Sequence, residues 1–218
     1  MKSGLFALLI SLLPVLAWAQ QDTLPVVPPR PKVGFQVELA VVTTPIPNDA
    51  SAGGYMSVLF YPTNNRFATG LTISGTQVRT PNDYGFAVGQ PVVSFLDIGW
   101  INQVRLVRAG RIIVDASLSN SLVLTWLGDW AIKRVVYSKY GKSYQPTWVK
   151  KDAYYAIEPG IRLTYDLSAQ RRVRVPNVLL TARVSQRFAF GAGDFTTANQ
   201  LSTPFCSIGI TLSDVLSR

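Results

Sequence analysis

Apolar and polar residues alternate with period two over long stretches of this chain. The clearest case is Ala153 to Leu167, AYYAIEPGIRLTYDL. Ala153, Tyr155, Ile157, Pro159, Ile161, Leu163, Tyr165 and Leu167 are apolar or aromatic; Tyr154, Ala156, Glu158, Gly160, Arg162, Thr164 and Asp166 fall between them. Alternate side chains of a strand point to opposite faces. The pattern therefore predicts a strand with one oily face and one face carrying two carboxylates and a guanidinium. Its 15 residues exceed the 5–6 of a common globular strand.

Seven more segments read the same way: 33–43, 55–62, 67–79, 92–107, 112–126, 173–188 and 205–213. In 112–126 the set Ile112, Val114, Ala116, Leu118, Leu122, Leu124 and Trp126 is interrupted only by Asn120. Short turns are expected at 63–66, 108–111 and 168–172, and longer connections between the other strands, the longest from Leu127 to Asp152. Long strands, even in number, with short turns at one end and long loops at the other, predict an all-β fold: an eight-stranded antiparallel up-and-down transmembrane β-barrel over 33–218. Pro159 and Pro176 would need a bulge or a rim position, because a closed barrel has no free edge for a missing N–H.

Charge placement sets which face is outside. The seven lysines, Lys2, Lys32, Lys133, Lys139, Lys142, Lys150 and Lys151, all fall outside these predicted strands. A soluble ligand-binding barrel would carry lysine on its outer wall and apolar side chains within. Nine charges within strands, Glu38, Asp97, Arg105, Asp115, Glu158, Arg162, Asp166, Arg183 and Arg187, share the polar face and nearly balance. They are expected to form an ion-pair network in the lumen. Turned toward lipid at mid-bilayer, a basic residue would cost about 2–4 kcal/mol. Eight strands enclose little more than side chains, so a wide pore is not expected.

Composition fits this picture. The chain opens MKSGLFALLISLLPVLAWA: a positive Lys2, an apolar run and Ala17-Trp18-Ala19 predict a signal peptide over 1–19. An uncleaved anchor is the alternative; the shortness of the run and Pro14 argue against it. Residues 20–32, QQDTLPVVPPRPK, read as a proline-rich periplasmic linker. Mean hydropathy is +0.20 with 48% hydrophobic and 15% charged residues, oily for an exported soluble protein. One cysteine, Cys206, permits no internal disulfide. The net charge of +9 falls to +8 without the leader.

The chain resembles the small eight-stranded outer-membrane barrels, the OmpA/OmpX-like group, including outer-membrane barrel proteins of Bacteroidota. The resemblance lies in strand number, loop asymmetry and a charged lumen over about 33–213. It implies an outer-membrane location and an integral barrel, and little about activity. Such barrels commonly end in an aromatic residue that the assembly machinery reads; this chain ends Ser213-Asp214-Val215-Leu216-Ser217-Arg218. Related barrels include lipid A deacylases and palmitoyl transferases, and larger ones the omptin proteases, which lean on a histidine base. This chain has no histidine. No catalytic, cofactor or metal site is expected. Glu158 and Asp166 lie roughly 26 Å apart along one strand; Asp97 and Asp115 could approach across strands. Gly191-Ala192-Gly193-Asp194 precedes no predicted helix.

The longest connection is the candidate binding surface: Trp130, Lys133, Arg134, Tyr137, Lys139, Tyr140, Lys142, Tyr144 and Trp148 mix cations with aromatics. Expected partners are outer-membrane lipid and lipopolysaccharide and other envelope proteins, not nucleic acid. The expected role is a non-enzymatic integral outer-membrane barrel. It would be structural or dock a partner through its loops or its proline-rich tail, in Bacteroidota as an accessory subunit of an export or assembly complex. The alternatives are a narrow channel or small-ligand transporter using the charged lumen, and a soluble periplasmic ligand-binding barrel.

Overall fold

A computed structural model of the protein describes residues 34–46, 49–62, 66–167 and 177–213. The leader, the linker, residues 63–65 and 168–176 with Pro176, and the last five residues lie outside the described residues.

The strands are β1 (Gly34–Ile46), β2 (Asp49–Tyr61), β3 (Phe67–Arg79), β4 (Pro91–Ala109), β5 (Ile112–Ser138), β6 (Gly141–Asp166), β7 (Asn177–Gln186), β8 (Phe188–Phe190) and β9 (Pro204–Ser213). One four-residue helix, α1 (Ala198–Leu201), lies between β8 and β9. Each strand pairs antiparallel with the next from β1 to β6. β7 lies between β6 and β9, and β9 returns to β1. β8 continues the β7 position along β6. The sheet is thus a closed ring of eight positions, up and down throughout.

The break between β7 and β8 has a local cause. β6 pairs with β7 as far as Gly160↔Ser185 and resumes at Ile157↔Phe188. Pro159, which has no N–H to give, occupies the gap on β6. Across it, Arg187 instead donates its N–H to the Thr203 carbonyl (3.0 Å).

Several strand ends differ from the sequence expectation. The 127–152 segment is not a loop: β5 and β6 continue through it as a hairpin that turns at Lys139-Tyr140. β1 and β2 likewise extend to Ile46 and Asp49. The asymmetry between barrel ends is therefore built partly from overhanging strand rather than from irregular loop. In consequence Lys133, Lys142, Lys150 and Lys151 do lie in strands, beyond the apolar wall. Segment 173–188 is split at Arg187, with its first residues outside the described set. The β4–β5 turn is only Gly110-Arg111, and Gly110 adopts φ +58°, a conformation open to glycine at little cost.

The faces divide as the alternation requires. Leu39, Leu71, Ile98, Ile161, Leu163, Leu180, Val184 and Ile210 are exposed on the outer wall, whereas Arg162 and Arg183 are almost completely buried in the lumen. Two polar groups on the outer wall are satisfied by neighbours. Tyr155 Oη donates to Asn120 Oδ1 (2.9 Å), and Thr69 Oγ1 donates to Asn102 Oδ1 (2.8 Å). Paired in this way they can face a medium that supplies no hydrogen bonds.

Candidate functional site

The lumen holds two ion-pair networks stacked along the barrel. In the one nearer the short turns, Arg162 on β6 lies 3.2 Å from Glu38 on β1 and 3.9 Å from Asp115 on β5. It also donates to Gln103 Oε1 and Thr211 Oγ1, both at 3.0 Å. Arg105 reaches Asp115 at 3.6 Å and lies over the Tyr61 ring. In the second network Glu158 bridges two guanidinium groups: Arg183 Nη2 at 2.8 Å and Arg187 Nη2 at 2.9 Å. Arg187 also pairs with Asp97, and Arg183 donates to Tyr55 Oη at 2.8 Å. Phe205 and Phe95 cover the Arg187 guanidinium at 4.9 and 5.1 Å. Asp166 is buried at the short-turn end, where its N–H donates to the Arg111 carbonyl. The nine charged residues that the alternation put on the polar face thus all point inward.

Two small spaces lie beside them among the described residues. One space beside Tyr55, Asp97 and Glu158 and another beside Tyr61, Asp115 and Arg162 each offer about 10 Å³ to a water's centre, about one water molecule. The long-loop mouth is filled as well. Leu201 of α1 packs against Phe95, Val123 and Tyr154. Phe195 packs with Val88, Val93 and Leu127.

Oily side chains cover the outside, paired charges fill the inside, and the ring has no open edge. The chain is a small eight-stranded antiparallel transmembrane β-barrel.

No protein-family model and no curated protein matches this sequence. Among solved structures the barrel is similar to neisserial surface protein A, at 8% identity and TM-score 0.46, over 83% of this chain and 95% of that one. It is also similar to Ail, the attachment invasion locus protein of Yersinia pestis, at 9% identity and TM-score 0.44, over 83% and 97%. The N-terminal barrel domain of Pseudomonas aeruginosa OprF is similar at 10% identity and TM-score 0.38, over 83% and 96%.

Two carboxylates that the sequence did not single out hold the barrel's mouth loops. Asp152 accepts the N–H groups of Asp194 (2.8 Å), Phe195 (3.1 Å) and Thr196 (3.1 Å) and the Thr196 hydroxyl (3.2 Å). Beside it, Tyr154 Oη donates to the Thr196 carbonyl at 2.5 Å. Asp129 accepts from Gly89, Gln90 and Ala131 at 3.1, 2.9 and 2.8 Å. For Asp152, burial alone would raise the carboxyl pKa, but these donors outweigh it and hold it below the usual range. The Ala131 N–H leads the same lowering at Asp129. A depressed carboxyl contributes stability above its unfolded value, about 3.9, and loses it as pH falls through the folded value. The loops are therefore expected to stay anchored at pH 5 and to loosen only below about pH 4. Replacing Asp152 with Ala leaves four donors without their acceptor, about 1–3 kcal/mol locally. Amide exchange at Asp194, Phe195 and Thr196 should rise about tenfold or more at pH 7, with the lumen amides unchanged.

The parity of the opening stretch, continued back one step, already places Asp152 on the inward face with Tyr154. Helix α1 also carried a signal. Thr197 caps it and Gln200 reaches back, a Ser/Thr-x-x-Glu/Gln box that can be seen in the sequence.

The basic, aromatic residues of 130–148 do not form one cluster. Trp130 faces the β3–β4 side, with the Arg79 guanidinium 5.6 Å from its ring. Beyond it the hairpin pairs Lys133↔Pro146, Val135↔Tyr144 and Tyr137↔Lys142. Opposed residues share a face, so Lys133, Tyr137, Lys142 and Tyr144 lie on one side and Arg134 on the other with Gln145. Lys139 and Tyr140 form the tip, 4.9 Å from ammonium to ring centre. Trp148 sits at the base against Trp126, at 6.4 Å.

Proposed function

We propose that this protein is an integral outer-membrane barrel without catalytic function that anchors the β5–β6 hairpin at the cell surface as a docking element. A signal peptide over 1–19 would export it, and 20–32 would lie in the periplasm. The hairpin is the observation that carries this reading. From Trp148 to Gly141 it runs roughly 20 Å beyond the last residues of β4 and β8 that pair with it, Pro91 and Phe190. Between Trp130 and Lys151 it carries six basic residues and no acid. Tyr137, Tyr140 and Tyr144 are largely exposed there. Exposed aromatics among cations are the composition of a recognition surface, and the partner it suits is acidic.

The channel alternative finds less support: two arginine–carboxylate layers and the apolar mouth clusters occupy the lumen. A soluble periplasmic barrel would need the opposite wall chemistry. Shortening the hairpin by removing residues 132–146 should leave a barrel that still migrates as folded, unheated, on gels. Envelope proteins that co-purify with the full chain should be lost. Retention of every partner after this deletion rejects the docking role. Steady single-channel openings from the full chain that change on Glu158→Gln substitution would favour transport instead.

A further inference from the structure

The base of the same hairpin carries a second surface, on the side of its strands that continues the outer wall. On β6 the outward residues are apolar from Tyr165 to Ala153. Twelve residues cover about 40 Å of strand, or about 30 Å along the normal at the tilt of such barrels, the thickness of a bilayer's hydrocarbon core. The next outward residue is Lys151, and its register partner on β5 is Trp126. Both therefore sit at headgroup height.

Here the structure builds a platform. Trp148 leans on Trp126, ring centres 6.4 Å apart and planes at 48°. It can do so because Gly128 has no side chain: a Cβ there would lie 2.9 Å from the Trp148 ring. The Trp148 side chain remains 43% exposed. Pro146 flanks Gly128 on the same side, 3.2 Å from that Cβ position, and pairs with Lys133. Register thus puts Lys133 above Trp148 and Lys151 level with Trp126, both exposed. Among the described residues no carboxylate pairs with either lysine; Lys150, which points to the mouth, is the one that takes Asp194.

We propose that this face binds one phosphorylated glycolipid of the outer leaflet, its sugar against the exposed face of Trp148 and its phosphates on Lys133 and Lys151. The inference rests on the outer-membrane reading above. Three features choose the occupant. The platform continues the acyl-facing wall, so the ligand has chains that lie below it. Two ammonium groups that meet no carboxylate among the described residues favour anionic charge at the level of the headgroups. An exposed indole between them suits the C–H face of a sugar, which a glycerophospholipid lacks.

The test uses the full chain in zwitterionic bilayer nanodiscs doped with one probe at a time: a diphosphorylated lipid A-type glycolipid, the same lipid dephosphorylated, or phosphatidylglycerol. Native mass spectrometry counts what is retained, and inorganic phosphate is added as a competitor. The wild type should retain the diphosphorylated glycolipid at least tenfold over phosphatidylglycerol, with phosphate unable to displace it. Trp148→Ala and the pair Lys133→Gln with Lys151→Gln should each lose about tenfold, and Lys142→Gln at the tip should lose nothing. Folding of each variant is checked by its unheated gel mobility; all three lie on the surface. Equal retention of both anionic lipids, undiminished retention in the lysine pair, or displacement by phosphate overturns the site. If the wild type fails to enter bilayers at all, the membrane reading itself falls, which is a different result from entry without discrimination.

Discussion

Replacing Arg187 with Met should cost the barrel about 3–5 kcal/mol, the range for leaving a buried ion without its partner. Arg187 contacts both Asp97 and Glu158 and is 1% exposed. Methionine fills much of the same volume but neutralises neither acid. Glu158 keeps Arg183 at 2.8 Å, so most of the loss falls on Asp97. Adding Asp97→Asn to Arg187→Met should therefore recover a large part of it. Urea unfolding in phospholipid vesicles, followed by unheated gel mobility, measures both. A single variant within 1 kcal/mol of the wild type would mean that the lumen network contributes little, and the double variant separates charge from packing.

The second large effect is on the opposite wall. Ile161 is 58% exposed and pairs with Ala116 and Val184, near the middle of the apolar band. Ile161→Arg should cost about 2–4 kcal/mol in a bilayer, the depth-dependent penalty for a cation at the midplane of such a barrel. On a soluble protein an exposed Ile→Arg change of this kind falls within about 0.5 kcal/mol. The neighbouring Arg162 shows why one step along the strand matters. It is buried, with two acids and two hydrogen-bond acceptors around it, and the same side chain one position earlier would have none. Stability of Ile161→Arg in vesicles against the wild type decides this, and an unchanged midpoint contradicts a lipid-facing wall.

The alternation, clearest in 153–167, 112–126 and 205–213, was enough to place eight strands and their faces. Period two is imposed directly by the pleat, and a one-residue error would have turned Arg162 and Arg183 outward. Strand ends were less legible. Beyond Trp126 the alternation fades because the hairpin has left the bilayer, and neither face there has to be oily. Trp130, Ala131 and Ile132 form a bulge that breaks the register, so no fixed period runs through it. The pairings were also hidden. Which arginine meets which acid depends on stagger between strands, and Glu158 bridging Arg183 and Arg187 cannot be counted off along one strand. The Asp152 anchor was missed for a similar reason: its partners are backbone N–H groups some 42 residues away, and those groups carry no side-chain signature.

The ring is closed by β1 against β9, where Thr43 and Cys206 share two hydrogen bonds across 163 positions of sequence. That seam joins nearly the first strand made to the last. Until the ten residues of β9 are in place, β1 and β7 each present a bare ladder. Contacts of such long range form slowly. Throughout that interval two copies of the chain could pair edge to edge, and the arrival of β9 removes both edges at once.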